Sequence, residues 1–471
     1  MTTSPEAVSL TPEHVPLMRD IVDSQFPSAI AELGRLVRIP GIAWDAFDAN
    51  NLELSAQAVA KLLTDLAIFE SVEIRRAEYE PSKVGAPAVV ATRAARNGRP
   101  TVLLYAHHDV QPPGDDEQWN TPPFQPTLID GRIYGRGAAD DKAGIVAHLT
   151  ALKAMAIALE GDIDLGISLF IEGEEEAGSP SFRSFLEQNR ADLAADLIVV
   201  ADSANWSTEI PALTTSLRGL VSQVVEVQTL DHAVHSGMFG GAIPDAMTAM
   251  LRLLASLHDE AGDVAVAGLH TAPASGLDYS DEALRADSGL LDGVAQLGTG
   301  QALDRIWNKP AITVIGIDAQ TVALSSNTML PSVRAKISMR IAPGDTPESA
   351  LAALRSHLEA NVPFNARLSF GETELGKPHA AEGDTWSHRL ASQALSAAWN
   401  HESVNIGIGG SIPFIADLVE VFPQAQILVT GVEDPDSRAH SPNESLHIET
   451  LRRAILAEAL VLLEANDILA H

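Results

Sequence analysis

The sequence predicts an α/β fold with a central, mostly parallel sheet flanked by helices. Four short segments are continuously apolar, as strands covered on both faces are. They are Val102–Tyr105, Leu165–Ile171, Leu197–Ala201 and Ile427–Thr430. Other stretches, such as Asn51–Ile68, carry apolar residues at helical spacing and read as amphipathic helices. Buried strands and helices in one chain are typical of a sheet with helices on its faces.

The pattern changes in the middle of the chain. Val221–Val227 and Ala335–Ile341 alternate apolar and polar residues, which is typical of strands with one covered face. Helix-like segments lie between such strands, so we expect a smaller α+β domain inserted into the larger one. The predicted boundaries are residues 1–213 and 375–471 for the two parts of the main domain and 214–374 for the insert.

Composition limits the possible partners. The 471 residues carry a formal net charge of -32, which repels nucleic acid and anionic membranes and attracts cations. There is no cysteine, so histidine and carboxylate side chains are the strong metal ligands available. We found neither a leader pattern nor an apolar run long enough to span a bilayer. We therefore expect a cytoplasmic protein without a nucleic-acid or membrane partner.

Polar residues that suit catalysis follow each of the four apolar segments. His107 and Asp109 follow the first, Glu174–Glu176 the second, Asp202 the third, and His440 comes ten residues after the fourth. Ligands bind beyond the carboxyl ends of strands in open α/β sheets. The sequence therefore predicts one functional edge of the sheet.

Each of these features also has an ordinary structural explanation. His107 and Asp109 can be a loop pair, Asp140 and Asp141 a helix cap, and the glutamates a solvated turn. Taken together, however, the residues supply two imidazoles and three carboxylates. This composition suits a pair of zinc, cobalt or manganese ions, and such sites hydrolyse amides and phosphates. The five residues are His107, Asp140, Glu176, Asp202 and His440.

A series of motifs extends over nearly the whole chain. In order, they are YAHHDVQP, GRGAADDKAG, EGEEEAGS, VVADS, LRG, DHAVHSGMFGG, GGSIP and AHSPNE. This series resembles the motifs of the M20 family of dinuclear zinc peptidases, and most of all its dipeptidases of the carnosinase and cytosolic non-specific type. The resemblance implies a zinc-peptidase-like catalytic domain, and a ferredoxin-like insert that serves as lid and dimerisation domain.

The resemblance also implies a role for each residue of the metal centre. His107 and Asp202 would bind one ion, Glu176 and His440 the other, and Asp140 would bridge both. The ions would be zinc, with manganese or cobalt as alternatives.

Two further acids have implied catalytic roles. Asp109 would support His107. Glu175 would activate the metal-bridging water as general base and protonate the leaving amine. The Asp140–Asp141 peptide bond would be cis.

In the insert, the resemblance implies contacts with substrate and with a second subunit. His235 would reach the active site of the partner in a homodimer, and Arg340 would hold the substrate carboxylate. Further residues near the substrate would be Gly410, Ser411, Asn327 and Thr328. Three residues depart from the family pattern: an additional His232, Ala106 in place of a common glycine, and Glu174 in place of a common apolar residue.

These observations favour a metal-dependent dipeptidase that hydrolyses short peptides with a free C-terminal carboxylate. An M20-type carboxypeptidase or an N-acyl-amino-acid deacylase is the alternative with the same chemistry. A non-catalytic metal-binding homologue is the alternative of another class.

Overall fold

The chain forms two compact units in the computed structural model, which describes residues 8–272, 276–381, 383, 385–410 and 413–468. The first unit comprises Met1–Thr215, Ala381–Ile406 and Asp417–His471. The second comprises Ser216–Ala380 and Gly407–Ala416.

The helices of the described residues are α1 His14–Val37, α2 Ala49–Leu66, α3 Lys142–Ala158, α4 Phe182–Gln188, α5 Arg190–Leu193, α6 Ser236–Phe239, α7 Ala246–Ala255, α8 Asp281–Ser288, α9 Pro347–Asn361, α10 Trp386–Trp399, α11 Pro413–Val421 and α12 Ile448–Ala465. Within this part of the chain, none of the helices combines the length and the apolar character needed to cross a membrane.

The strands of the described residues are β1 Ser71–Arg75, β2 Glu78–Glu80, β3 Lys83–Val84, β4 Ala88–Arg93, β5 Thr101–His107, β6 Thr127–Ile129, β7 Arg132–Tyr134, β8 Gly166–Glu172, β9 Leu197–Val200, β10 Ala212–Leu217, β11 Gly219–Gln228, β12 Val234–His235, β13 Ala311–Asp318, β14 Thr328–Met329, β15 Ser332–Ile341, β16 Arg367–Gly376, β17 His379–Ala380, β18 Val404–Ile408, β19 Gln426–Val429 and β20 Ser445–His447.

The first unit contains a twisted central sheet with the strand order β1-β4-β8-β5-β9-β19-β10. The four middle strands β8, β5, β9 and β19 are parallel. The outer strands β1, β4 and β10 pair antiparallel with their neighbours. The predicted parallel sheet is therefore confirmed at its centre, and the antiparallel pairs lie at its sides.

Both faces of this sheet are covered, which explains the continuously apolar strands. Val102 and Leu104 of β5 belong to the core that also contains α1, α3 and α12. Tyr105, on the opposite face, makes an edge-to-face contact with Phe182 of α4, with ring centroids 5.8 Å apart. Alternate residues of one strand thus pack against different layers, so each of them is apolar.

The second unit contains a four-stranded antiparallel sheet with the order β13-β15-β11-β16. Helix α7 follows β11 and helix α9 follows β15, which gives the β-α-β-β-α-β order of ferredoxin-like domains. Val221 and Ile337 belong to the core between this sheet and the two helices. Arg340 points to the opposite, helix-free face, in agreement with the alternation seen in the sequence.

The chain approaches itself closely where β19 leaves the central sheet. The Thr430 amide donates to the carbonyl of Val200 at 2.8 Å, and the Asn205 amide donates to the carbonyl of Glu433 at 2.8 Å. Between these bonds, a Cβ atom at Gly431 would overlap the carbonyl oxygen of Ser203. Glycine at this position therefore allows the segment that leads to His440 to run beside the segment that contains Asp202.

Candidate metal centre

The polar residues that follow the parallel strands lie together at one edge of the central sheet. His107 is the last residue of β5, and Glu175 and Glu176 lie in the turn after β8. Asp202 follows β9, and His440 lies in the loop after β19. Because these strands are parallel, their carboxyl ends meet at the same edge.

Two groups of potential metal ligands form there, and in each group the ligand atoms lie within 4.8 Å of one another. The first group consists of His107, Glu175 and Asp202, and the second of Asp140, Glu176 and His440. Asp140 lies between them: its Oδ1 is 3.0 Å from His107 Nε2, and its Oδ2 is 3.0 Å from His440 Nε2. One carboxylate thus faces both groups, which is the position of a bridging ligand.

Burial and mutual charge control the protonation of these groups. Burial opposes ionisation of Asp140, but hydrogen bonds with His107 and His440 hold its pKa well below the usual range. Hydrogen bonds with Asp140 and Glu176 raise the pKa of His440 to about 11. Burial, together with the charges of Asp140 and Glu176, raises the pKa of Asp202 to about 7. The negative charge of the centre therefore keeps protons on groups that could bind cations.

The Asp109 carboxylate holds the turn that carries the two glutamates. It accepts hydrogen bonds from the backbone amides of Glu175 at 3.2 Å and Glu176 at 3.1 Å. The same carboxylate lies 3.4 Å from His107 Nδ1, while the Asp109 carbonyl lies closer, at 3.1 Å. Gln111 donates its side-chain amide to Glu176 Oε2 at 2.7 Å. Asp109 thus supports the turn directly and faces the imidazole as well.

Asp141 is a helix cap and not a member of either ligand group. Its Oδ1 accepts from the amide of Gly144 at 3.2 Å at the start of α3, and its Oδ2 accepts from the amide of His107 at 3.1 Å. The Asp140–Asp141 peptide bond is cis, as the resemblance implied. The two adjacent aspartates have separate partners: Asp140 faces His107 and His440, whereas Asp141 binds backbone amides.

Sequence reasoning missed Glu444, which shapes the loop before Asp140. Its buried carboxylate accepts from Arg136 Nη1 at 2.6 Å and from the amides of Gly137, Ala139 and Asp140 at 3.0, 2.9 and 3.2 Å. The one indication in the sequence was its place at the end of the AHSPNE motif, four residues after His440.

Glu433 is a second missed acid. It pairs with Ala204 in an isolated parallel bridge, so its side chain lies on the same side as that of Asp202, two residues earlier. Burial raises its pKa well above the usual value, and the charges of Asp140 and Asp202 contribute. The pattern of acids in GVEDPD gave no indication of which one faces the site.

The second unit brings three of the other predicted residues together. His235 pairs with Thr328 in the two-stranded sheet of β12 and β14. The amide of Ser236, next to His235, donates to the carbonyl of Asn327 at 2.9 Å. His235 is exposed, and its Nδ1 accepts from the amide of Gly237 at 3.0 Å.

Arg340 lies on the four-stranded sheet of this unit, next to an arginine that sequence reasoning did not assign. Leu220 of β11 pairs with Arg340 across the sheet, and Arg218 directly precedes β11. The two arginines are close enough for the charge of Arg340 to lower the pKa of Arg218. Arg218 Nε donates to the carbonyl of Gly409, beside Gly410, at 2.8 Å. Ser411 lies outside the described residues.

The fold and the site define the class of protein. A central parallel sheet with two adjacent groups of imidazole and carboxylate ligands at its edge fits the two-metal hydrolases, in which paired cations hydrolyse amide or ester bonds. A model of the peptidase family M20/M25/M40 matches residues 103–464. The chain belongs to this family.

Similar proteins agree with this conclusion. The cysteinylglycine-S-conjugate dipeptidase of Corynebacterium striatum is 33% identical over 81% of this chain and 85% of its own. The Beta-Ala-His dipeptidase of Rattus norvegicus is 29% identical over 77% of this chain and 76% of its own. The crystal structure of human carnosine dipeptidase 1 superposes with a TM-score of 0.77 at 24% identity, covering 97% of this chain and all (100%) of that one.

We predict that metal binding near neutral pH releases protons. His440 has its pKa raised to about 11 by hydrogen bonds to Asp140 and Glu176, so in the metal-free protein it is protonated at pH 7 and must lose that proton to bind a cation. Affinity should therefore rise about tenfold per pH unit for each proton released, from pH 6 to 9. Calorimetric titration with zinc in buffers of different ionisation enthalpy counts the protons.

The control for this prediction is His440→Asn, which has no imidazole to deprotonate. It should release about one proton fewer per protein molecule at the same pH. Equal proton release by the variant and the wild type would contradict the prediction.

Proposed function

We propose that this M20 peptidase is a metal-dependent dipeptidase that hydrolyses short peptides with a free C-terminal carboxylate. The observation that carries the proposal is the pair of ligand groups joined by Asp140, the first of which contains Glu175. The names of its relatives, dipeptidases for cysteinylglycine conjugates and for Beta-Ala-His, support a dipeptide substrate.

The donor set favours hard or borderline divalent cations. We infer two zinc ions, with manganese or cobalt as alternatives, because the donors are imidazole nitrogens and carboxylate oxygens without thiolates. His107 and Asp202 would hold one ion, Glu176 and His440 the other, and Asp140 would bridge them. When bound, such a pair supplies Lewis acidity and lowers the pKa of water at the site.

Glu175 has the properties of the proton carrier. Its side chain is 21% exposed, and its Oε2 lies 4.0 Å from His107 Nε2. Burial raises the pKa of Glu175 well above the usual value, and the charges of Asp202 and Glu172 contribute. A carboxylate with a raised pKa accepts a proton from the attacking water and passes it to the leaving amine. The hydrogen bonds from its backbone to Asp109 keep it at the edge of the site.

Recognition of the substrate carboxylate is assigned to the second unit. Arg340 and Arg218 are neighbouring cations, Arg340 on β15 and Arg218 directly before β11. Burial, together with the charge of Arg340, lowers the pKa of Arg218 to about 10. An anion placed between two such arginines would relieve their repulsion. We propose that Arg340 binds the C-terminal carboxylate, with Gly410 and Ser411 beside it and Asn327, Thr328 and His235 around the substrate.

We further propose that residues 214–374 act as a lid and as the site of homodimerisation. Strand β13 is an edge strand of its sheet, and Ile315 and Ile317 on it are 57% and 41% exposed. Exposed apolar edge strands are sites of strand pairing between chains. A twofold dimer through this edge would cover these side chains, and in such a dimer we assign His235 to the active site of the partner.

Replacing Glu175 by glutamine should lower turnover of dipeptides by several orders of magnitude with unchanged metal content, because glutamine cannot accept the proton. Amino-acid release and elemental analysis measure the two quantities. Glu187→Gln is the matched control, since Glu187 is 55% exposed on α4 and pairs with Arg183. Full turnover by Glu175→Gln would remove the residue from its assigned role.

Replacing Arg340 by alanine should abolish the preference for a free C-terminus. A hydrogen bond to a charged group contributes about 1.5–3 kcal/mol, so kcat/KM for a dipeptide should fall about 10–150-fold, and that for the C-terminal amide of the same dipeptide should change little. Arg334→Ala, on the same strand and 52% exposed, should leave both values unchanged. An equal effect on dipeptide and amide would contradict the assignment.

Comparing a dipeptide with its N-acetylated form tests the alternative that has the same chemistry, a carboxypeptidase or an N-acyl-amino-acid deacylase. A dipeptidase prefers the dipeptide with a free amino group, whereas an N-acyl-amino-acid deacylase or carboxypeptidase prefers the N-acetylated form. Higher kcat/KM for the N-acetylated form would replace our proposal by that alternative.

The dimer is tested by Ile315→Lys. The charged residue should prevent pairing of β13 strands, so the mass measured by light scattering should fall from twice 49.9 kDa to the monomer value. Val84→Lys is the control, because Val84 is equally exposed at 57% but lies in the first unit. A wild-type monomer would exclude the proposed dimer.

A further inference from the structure

Glu174 is the one member of the glutamate triplet that lies outside both ligand groups. It precedes Glu175 and is only 7% exposed. Its Oε2 accepts from the amide of Ala86 at 2.8 Å, and its Oε1 accepts from the amide and the hydroxyl of Ser181 at 2.9 and 2.5 Å. The side chain therefore points away from the metal centre and joins Ser181, just after the turn, to Ala86, which lies 88 residues earlier in the chain.

These bonds form what we call the Glu174 clamp, consisting of Glu174, Ser181 and residues 85–87. The space is filled: a Cβ at Gly85 would collide with Ser181 Oγ and approach Glu174 Oε1 to 3.0 Å. Residues 85–87 are fixed a second time, because His108 Nε2 lies 2.7 Å from the carbonyl of Pro87. The clamp is thus a rigid contact and not a loose surface pair.

The turn after β8 is consequently held from two opposite sides. The Asp109 carboxylate binds the amides of Glu175 and Glu176, and the Glu174 carboxylate binds the segments behind the turn. The backbone carbonyl of Glu174 also accepts from the amide of Ser179 at 3.0 Å, which closes the turn. With both neighbours fixed, the backbone of Glu175 has little freedom to move.

We propose that Glu174 is a positioning residue, which fixes the orientation of Glu175 through the clamp without contacting substrate or metal. This inference rests on the proposed function, in which Glu175 transfers the proton. Groups that orient catalytic or metal-binding side chains typically change activity about 10–100-fold when replaced, because a displacement of about 1 Å already slows the reaction.

Replacing Glu174 by glutamine tests the proposal. An amide group cannot accept at both ends, so at least one of the three donors loses its acceptor. We expect kcat to fall about 10–100-fold, while KM for a dipeptide and the metal content stay within twofold of wild type. Exchange of the Glu175 and Glu176 backbone amides with deuterium should become faster, since the turn is held from one side only.

Glu464→Gln is the matched control. The Glu464 carboxylate is 6% exposed and accepts from the amide and the hydroxyl of Thr11 at 2.7 and 3.0 Å, the same kinds of donor as at Ser181. It joins α12 to Thr11 and to His14, the first residue of α1, whose Nδ1 lies 2.8 Å from Glu464 Oε1, and neither partner belongs to the turn after β8. This variant should lower the melting temperature by a similar amount and leave kcat within twofold of wild type.

Several results would overturn the proposal. One is a kcat of Glu174→Gln equal to that of Glu464→Gln. If Glu174→Gln does not fold, Ser181→Ala replaces it, since only the hydroxyl donor is lost, and an unchanged kcat in that variant has the same meaning. A wild-type protein without dipeptide turnover would refute the proposed function separately. In that case deuterium exchange still tests the clamp. Unchanged exchange of the Glu175 and Glu176 amides in Glu174→Gln would show that Glu174 does not hold the turn.

Discussion

Repulsion between carboxylates at one edge of a sheet is the constraint on which this structure depends. Asp140, Glu175, Glu176 and Asp202 carry ligand atoms within two groups whose members lie within 4.8 Å of one another. Their repulsion is relieved either by protonation, which the raised pKa values of Asp202 and Glu175 favour, or by positive charge among them. The two imidazoles provide part of it, as the raised pKa values of His107 and His440 indicate. The negative charge that the imidazoles do not balance makes the site suitable for binding cations.

A second layer of side chains keeps the repelling carboxylates in place. Asp109 and Gln111 hold the turn of Glu175 and Glu176, and Glu444 holds the backbone that leads to Asp140. These residues bind through backbone amides to a large extent, so the positions of the ligands depend on main-chain geometry as well as on side-chain packing. The repulsion can then persist without deforming the site, and binding of cations requires little rearrangement.

The sequence was sufficient to predict the edge of the sheet and to indicate Asp109 beside His107, but it did not indicate Glu444. Continuous apolar runs identify strands that are covered on both faces, and the carboxyl ends of parallel strands must meet, so His107 and Asp202 were expected near each other. Glu444 binds Arg136, which is 308 residues earlier, and no local pattern encodes such a pair. Likewise, EGEEE reads as one charged turn, although Glu174 points away from the metal centre and Glu175 lies beside it. The direction in which each glutamate side chain points depends on tertiary packing, which the charge pattern of the sequence does not indicate.

The overall charge imposes a further condition on the proposed substrate. A net charge of -32 repels a peptide with a free carboxylate, so attraction must be local. Arg218 and Arg340 place two positive charges close together in the second unit, with the Glu374 carboxylate near Arg340. The hydrogen bonds that Arg218 makes within the described residues go to the carbonyls of Gly409 and Lys309, which are neutral acceptors. If the proposed carboxylate site is correct, the negative field of the whole protein would favour small zwitterionic substrates over anionic ones of the same length.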